Sequence, residues 1–332
     1  MNKKNIAVIW GGYSSEIVVS EKSMQGVCSF IDKSKYNVYP VKIVRSEWSV
    51  DVNGNTFPVD KNYFGFIDNG IKIKFDFAYI TIHGTPGEDG RFQGYLDMLD
   101  IPYSSCGVSA SSLTMNKYIC NKYLKNFGIN VAESYIIHRD DKYSLEEIAS
   151  ILKFPMFVKP NTGGSSFATS KVKEVGELQN AIDSAFKETE EVIIESFISG
   201  REVTCGCYKI KDRIVTLPLT EVVTSNEFFD YNAKYNGQVD EITPAPIEDT
   251  IRDFIQLQTT KIYNLIGAKG IIRADFIIKD NVPHLLEVNT TPGMTITSFI
   301  PQQIKAAGLD IVAVFTDIIE NELNEYTRSH GF

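Results

Sequence analysis

The segment GIIRADFIIKDNVPHLLEVNTTPGMT, residues 270–295, constrains the fold of this chain more than any other stretch. Apolar and polar residues alternate with a period of two on both sides of a polar turn, the pattern of a β-hairpin with one covered face. A turn centred on Asn281 sets Asp275 opposite Glu287 and Arg273 opposite Asn289, so that four polar groups converge. Ile272, Ala274, Phe276, Leu286 and Val288 then face a core. Asp275, Glu287 and Asn289 offer hard oxygen ligands suited to magnesium, which reaches proteins through one or two carboxylates plus substrate phosphate oxygens. Cross-strand charge pairing on an exposed sheet face explains the same alternation, and the periodicity does not choose between the two.

A chain of 332 residues is about twice a typical domain and predicts two or three domains with separate cores. Its 33 basic and 42 acidic side chains leave a charge of -9, which argues against a protein that coats nucleic acid or an anionic membrane. The cysteines at 28, 106, 120, 205 and 207 form one CxC and no other pattern, so neither a disulfide framework nor a zinc site is expected, and a reducing compartment is. Ile6–Trp10 is too short an apolar run for a signal peptide, and no run of about eighteen apolar residues suits a membrane span. These features predict a cytoplasmic protein.

Ile6–Trp10 predicts a buried strand, with Gly11 and Gly12 turning into a helix that ends near Phe30. Residues 38–44 and 75–82 are further strands of this α/β unit, with a less regular stretch at 46–74 between them. A helix is expected from Met115 to Phe127 with Gly128 as its C-cap, and Ser144 with Glu147 suggests a capping box. FPMFVKP and EVIIESFI are strands flanking a helix at 174–188, which gives the second region an α+β character. EVTCGCYKI and RIVTLPL open a third region, followed by 221–242 with no convincing period, a helix at 250–266, the hairpin and two short terminal helices. A loop of about twenty residues in a compact domain suggests a cover over a site.

Several other groups suit phosphate or substrate chemistry. Lys159 leaves a strand just before Gly163, Gly164, Ser165 and Ser166, which suit either a phosphate-wrapping loop or a plain flexible hairpin. Lys117 at a helix start is a phosphate ligand or a surface lysine, and Lys234 and Tyr235 in the long loop are a closing lid or a structural anchor. Glu16 suits either a helix cap or a grip on a substrate ammonium. His83 follows a hydrophobic strand, the position of a ligand-facing residue or of an unliganded turn histidine. The first βα turn lacks GxGxxG, which argues against a dinucleotide site.

Seven segments in order carry a family resemblance: GGYSSEIVVS, HGTPGEDGRFQG, IPYSSCGVSASSLTMNK, VKPNTGGSS, IIESFISGREVT, DYNAKY, and RADF followed by LLEVNTTPGMT. Over nearly its whole length the chain resembles D-alanine:D-alanine ligases of the ATP-grasp superfamily. The resemblance implies an α/β N-terminal substrate domain (1–103), then α+β ATP-grasp central (104–196) and C-terminal (197–332) domains, with the loop 221–242 over the active site. It implies that Lys117, Lys159, Ser166 and Lys234 contact ATP phosphates, that Glu195 and the backbone near Phe197 and Ile198 meet adenine, and that Glu202 binds ribose. Asp275, Glu287 and Asn289 would hold two Mg2+ ions, with Mn2+ as a substitute. Arg273 and the Gly293 N–H would stabilise an oxyanion, Glu16 would bind the first ammonium, Ser298 the second carboxylate, and His83 would face the ligand. Ser165, Tyr235 and Glu16 would form a triad that fastens the loop.

The implied reaction joins two D-alanines through a D-alanyl phosphate and supplies peptidoglycan precursors, with D-alanine and ATP as partners and a homodimer as the usual assembly. Tyr235 goes with D-alanine as second substrate, whereas enzymes making D-alanyl-D-lactate often carry phenylalanine there. D-alanine:D-lactate ligation, or another D-amino acid in second place, is the alternative. Two departures from the family pattern stand out. Thr162 and Gly163 replace a basic and an acidic residue, and Asn232 stands where glutamate is frequent.

Overall fold

The computed structural model describes residues 3–14, 16–163, 168–224 and 239–330. The N-terminal part comprises β1 (Lys4–Gly11), α1 (Ile17–Phe30), β2 (Tyr36–Ile43), β3 (Trp48–Val52), β4 (Asn55–Pro58), β5 (Gly65–Asp68), β6 (Ile71–Lys74), β7 (Phe77–Ile80) and α2 (Arg91–Met98). Its main sheet runs β4-β3-β2-β1-β7, with β1 parallel to both β2 and β7. A central parallel strand is covered on both faces, which explains the unbroken apolar run from Ile6 to Ile9, all fully buried. The stretch 46–74, expected to be irregular, instead holds two hairpins, β3–β4 and β5–β6. Their turns are Asn53-Gly54 and Asn69-Gly70, all four residues at positive φ, as a two-residue type I′ turn requires.

The middle of the chain forms α3 (Val108–Met115), α4 (Lys117–Lys125), β8 (Ser134–His138), α5 (Leu145–Leu152), β9 (Met156–Pro160), β10 (Ser170–Val172), α6 (Val175–Ala185) and β11 (Glu191–Ser196). An antiparallel sheet in the order β10-β9-β11-β8 packs Val158 and Ile194 against Ile148 of α5 and Ile182 of α6. Ser144 caps α5 by accepting the Glu147 N–H at 3.2 Å. The helix expected from Met115 to Phe127 is α4, two residues shorter at each end, and a separate helix, α3, ends just before it. Asn116 separates the two in an extended conformation and caps α4, its side chain accepting the Ile119 N–H at 2.9 Å. Ala110, Cys120 and Leu124 of this pair share a core with Val203, Ile272 and Phe276 of the third sheet.

That sheet belongs to the C-terminal part: β12 (Arg201–Ile210), β13 (Arg213–Thr216), β14 (Thr220–Thr224), β15 (Val239–Ile242), α7 (Asp249–Leu265), β16 (Ile271–Lys279), β17 (Val282–Asn289), α8 (Phe299–Ala306) and α9 (Ile311–His330). The strands run β15-β14-β12-β16-β17, with β13 on β12. Both ends of the stretch 221–242 are therefore strands, paired from Glu221↔Ile242 to Thr224↔Val239. The last helix is 20 residues long rather than short. Its stripe of Val314, Phe315, Ile318, Ile319 and Leu323 joins the core formed by β1, β7 and α1, and Phe315 stacks on Tyr79 at 5.3 Å.

The hairpin turns at Asp280 and Asn281, with φ of +51° and +61°, and Lys279 faces Val282. Continued unbroken, this register would set Arg273 against Val288. Leu286 is an extra residue in β17, a bulge that advances the pairing by one. Arg273 consequently faces Asn289 and Asp275 faces Glu287, the expected register. The expected core role of Leu286 is corrected by the same bulge: Leu285, opposite Phe276, is 1% exposed, whereas Leu286 is only partly covered.

Gly270, just before β16, has φ of +61°, and a Cβ there would lie 1.7 Å from the Ser104 carbonyl oxygen. Gly128, with φ of +77°, has open space around it. Gly270→Ala is expected to lower unfolding free energy by about 3 kcal/mol, and Gly128→Ala by about 1 kcal/mol. Equal losses in urea unfolding would refute the close-approach argument.

Candidate active site

On the hairpin face, Arg273 donates from Nε to Asp275 Oδ1 at 2.8 Å and from Nη2 to Oδ2 at 2.7 Å. Asn289 donates from Nδ2 to the same Oδ2 at 2.9 Å. The guanidinium lies 5.2 Å from the centre of the Phe299 ring. Burial alone would weaken the Arg273 cation, but Asp275, reinforced by Glu287 and Glu202, holds its pKa above the usual arginine value. A fixed positive charge and nearby carboxylates thus share one sheet face.

Lys117 opens α4 and reaches this face: its Nζ lies 3.7 Å from Glu287 Oε2 and donates to the Gly163 carbonyl at 2.5 Å. Lys159 ends β9 with Nζ 2.5 Å from Glu195 Oε2 on the neighbouring β11. Burial pulls the Lys159 pKa down, and the Glu195 carboxylate more than reverses this, leaving it raised. Asn161, not singled out in the sequence, joins the two lysines. It accepts the Tyr118 N–H at Oδ1 (2.9 Å) and the Lys117 N–H at its carbonyl (3.2 Å), and donates to Glu191 at 2.6 Å. Its signal was an asparagine directly after the strand-ending Lys-Pro.

Glu195, Phe197, Ile198 and Glu202 lie along the short passage from β11 into β12. The Phe197 N–H donates to the Pro155 carbonyl at 3.1 Å, and its ring meets Phe157 edge-on beneath the Lys171 ammonium, 4.0 Å away. Glu202 is partly covered on β12, between Val222 and Ile277. Ser165, Ser166, Lys234 and Tyr235 lie outside the described residues.

The remaining predicted groups come from the N-terminal part and from the segment after β17. Glu16 precedes α1, yet its side chain makes no capping hydrogen bond, and Oε2 sits beside Gly84. His83 is buried, with Nε2 3.3 Å from Ser23 Oγ, and the same oxygen accepts the Met294 N–H at 3.3 Å. Ser298 Oγ accepts the Thr295 N–H at 3.0 Å and lies 2.8 Å from Thr295 Oγ1, next to Gly293. α1 is thus the surface on which the N-terminal His83 and the C-terminal Gly293–Met294 backbone meet.

Glu88 is a further group that sequence reading passed over, although it sits inside HGTPGEDG. It accepts the Gly84 N–H at 2.6 Å, and burial, with Glu16 and Glu287 adding to it, raises its carboxyl to about 7. An acidic residue just beyond a Pro-Gly turn after a parallel strand was the available signal. A carboxyl raised in the folded state stabilises the fold below its ordinary value near 4.5 and loses that contribution as pH rises through about 7. The stability of Glu88→Gln relative to the parent is therefore expected to improve steadily from about pH 4.5 to pH 7 and then level off. A difference in urea unfolding that does not vary with pH would contradict this.

Two family models match the chain, D-ala D-ala ligase N-terminus over residues 5–106 and D-ala D-ala ligase C-terminus over residues 123–320. The D-alanine--D-alanine ligase of Parabacteroides distasonis is 60% identical across 97% of this chain and 98% of its own. That of Bacteroides fragilis is 57% identical across 96% of this chain and 99% of its own. Among solved structures, the VanG D-Ala:D-Ser ligase from Enterococcus faecalis superposes with a TM-score of 0.88 at 33% identity, covering 97% of this chain and 100% of that one. A Bacillus anthracis D-alanine--D-alanine ligase complexed with ATP gives 0.79 at 28% identity, with coverage of 98% and 99%. With both family models matched in order and relatives 57–60% identical over nearly the full length, the chain belongs to the D-alanine:D-alanine ligase family and has the ATP-grasp fold.

Proposed function

We propose that this protein joins two D-alanine molecules into D-alanyl-D-alanine, converting ATP to ADP and phosphate, and so supplies a peptidoglycan precursor. The observation that carries this reading is the 60% identity, over nearly the full length of both chains, to an enzyme of that name. In the first step a D-alanine carboxylate attacks the γ-phosphoryl group and ADP leaves. In the second, the neutral amine of another D-alanine attacks the acyl carbonyl, phosphate leaves and the nitrogen gives up a proton. A carboxylate is a poor electrophile, and phosphorylation supplies the leaving group it lacks.

The groups divide by chemistry. Lys117, Lys159, Lys234 and Ser166 bind the phosphates. Glu195, Phe197 and Ile198 bind adenine, with the Phe197 N–H already given to Pro155, and Glu202 binds ribose. Glu16 holds the first ammonium, Ser298 the second carboxylate, and His83 faces the ligand. Arg273 keeps Nη1 available while Nε and Nη2 hold Asp275, and with the Gly293 N–H it stabilises the tetrahedral oxyanion. Ser165, Tyr235 and Glu16 fasten the loop, and closure keeps water from the acyl phosphate.

The donor set fits magnesium. Asp275 and Glu287 supply carboxylates, and Asn289 turns Nδ2 to Asp275, which leaves Oδ1 as its oxygen donor. Among the described residues no group of three or more His, Cys, Asp or Glu forms a metal site on its own, in keeping with an ion completed by phosphate oxygens and water. Two Mg2+ ions, replaceable by Mn2+, would neutralise phosphate charge when bound. No described helix is long and apolar enough to cross a membrane; a cytoplasmic homodimer completes the reading.

ADP release is expected to require D-alanine, not L-alanine, with the dipeptide identified by mass spectrometry and D-lactate added in competition. No ADP in any mixture would sink the reading, and ester as the main product would move it to the depsipeptide class. Arg273→Ala is expected to keep ATP affinity within a few fold while turnover falls by roughly 100-fold or more. Weak ATP binding with intact saturated turnover would contradict the oxyanion role.

A further inference from the structure

We propose that Gln303 is a positioning residue for the second substrate: its side-chain amide fills a gap in the β12 ladder and thereby fixes α8, with Ser298 and Phe299, over Arg273. The inference deepens the ligase reading and rests on it for the role of Ser298. The gap follows from the strand register. From Cys207 to Thr204 β12 advances three residues, while its partner advances four, from Thr216 in β13 to Thr220 in β14. The extra residue falls in the stretch 217–219, which belongs to no strand and contains Pro218, a residue with no N–H to give.

Gln303 supplies what the missing strand does not. Its Oε1 accepts the Gly206 N–H at 2.9 Å, and its Nε2 donates to the Thr204 carbonyl at 3.0 Å and to Thr220 Oγ1 at 3.1 Å. A backbone N–H can only donate and a carbonyl can only accept, so one orientation of the amide satisfies both. Both Nε2 hydrogens are used in that orientation. Gln303 is fully buried, and Ile300, Pro301 and Ile304, the other buried residues of α8, are apolar. Apolar contacts have no direction, whereas a buried amide is costly without its partners, so the amide sets where α8 sits on the sheet.

The strand that Gln303 grips carries this placement to the site. Gly206 faces Arg273 and Thr204 faces Asp275 in the β12–β16 pairing, and directly paired residues project on the same side of a sheet. A Cβ at Gly206 would lie 2.5 Å from Ile300 Cδ1 and 2.7 Å from Gln303 Oε1, so α8 rests directly on that side. Phe299, about one helical turn before Gln303, brings its ring to 5.2 Å from the Arg273 guanidinium, and Ser298 immediately precedes α8. Loss of the amide frees α8 to shift over Arg273 and displaces the seat of the second carboxylate. Lys117 and Lys159 stand on α4 and β9 and keep their places.

Gln303→Met keeps the length and flexibility of the side chain and removes the amide. It is expected to raise the KM for the second D-alanine roughly tenfold, with the KM for ATP within about twofold. Exchange of the Gly206 amide hydrogen is expected to speed up by about tenfold or more. Ile304→Val loosens the packing of α8 without touching the amide, and is expected to leave the second-substrate KM within about twofold. An unchanged second-substrate KM in folded Gln303→Met, or an equal rise in Ile304→Val, would overturn the proposal. If Gln303→Met fails to fold, the parent decides: Gly206 exchange is expected to slow severalfold when D-alanyl-D-alanine is added to the ADP-bound protein, and no slowing overturns the proposal. A parent that releases no ADP with D-alanine defeats the ligase reading itself, whereas Gly206 exchange still reports the amide tie.

Discussion

A guanidinium largely buried on the polar face of a sheet must have its charge answered at close range, and the architecture around Arg273 follows from that demand. Asp275 answers it with two parallel charge-assisted hydrogen bonds, and Asn289 turns its amide to the same carboxylate. Asp275 stands two residues along the same strand, whereas Asn289 is brought opposite Arg273 by the pairing that the β17 bulge sets. The opposing cation of Lys117 then arrives from α4, whose apolar side chains are buried in the core behind the hairpin. Charge placement and core packing are therefore solved by the same two strands: one face gathers ions, and the other buries Ile272, Ala274 and Phe276.

The three sheets are coupled more tightly than their separate strand orders suggest. α3 and α4 precede the second sheet in the chain but bury their apolar side chains with the third, so Lys117 is fixed relative to Glu287 rather than carried by β9. The second sheet joins them through polar contacts at Asn161 and Asn116, which share Glu191. Polar links of this kind hold geometry with little buried apolar area, an arrangement compatible with movement of β9–β11 relative to the hairpin. Ser23, His83 and Met294 provide the corresponding link between the first sheet and the third.

Where the pattern in the sequence is long and regular, it was legible: β1, α1, α7 and the hairpin register all emerge from periodicity. Failures have identifiable physical causes. Strands β3–β6 are only four or five residues long, too short for a period, and the Asn-Gly turns were the usable signal. The bulge at Leu286 leaves no compositional mark, because Leu285 and Leu286 are identical in type and only pairing decides which is buried. Asn116 looked like one more helical residue because its capping role depends on its extended backbone. Around the hairpin face, the charged residues that the structure brings together, Arg273, Asp275, Glu287 and Lys117, sit inside distinctive motifs, whereas Ser23, Asn161 and Glu88 were not singled out. Ser23 and Asn161 bond to partners far away in the chain, and the carboxylates that act on Glu88 include the distant Glu16 and Glu287, to which local pattern is blind.

The packing of α9 on the first sheet has a consequence for how the protein is made. β1, β7 and α1 leave the ribosome early, yet the side chains that complete their core, Phe315 and Ile318 among them, lie more than two hundred residues later. Until synthesis reaches α9, the rings of Tyr79 and Phe30 have lost their intended neighbour and present an apolar surface to the cell. The N-terminal unit is thus completed last rather than first, and its nascent form is the stage of biogenesis most in need of a chaperone.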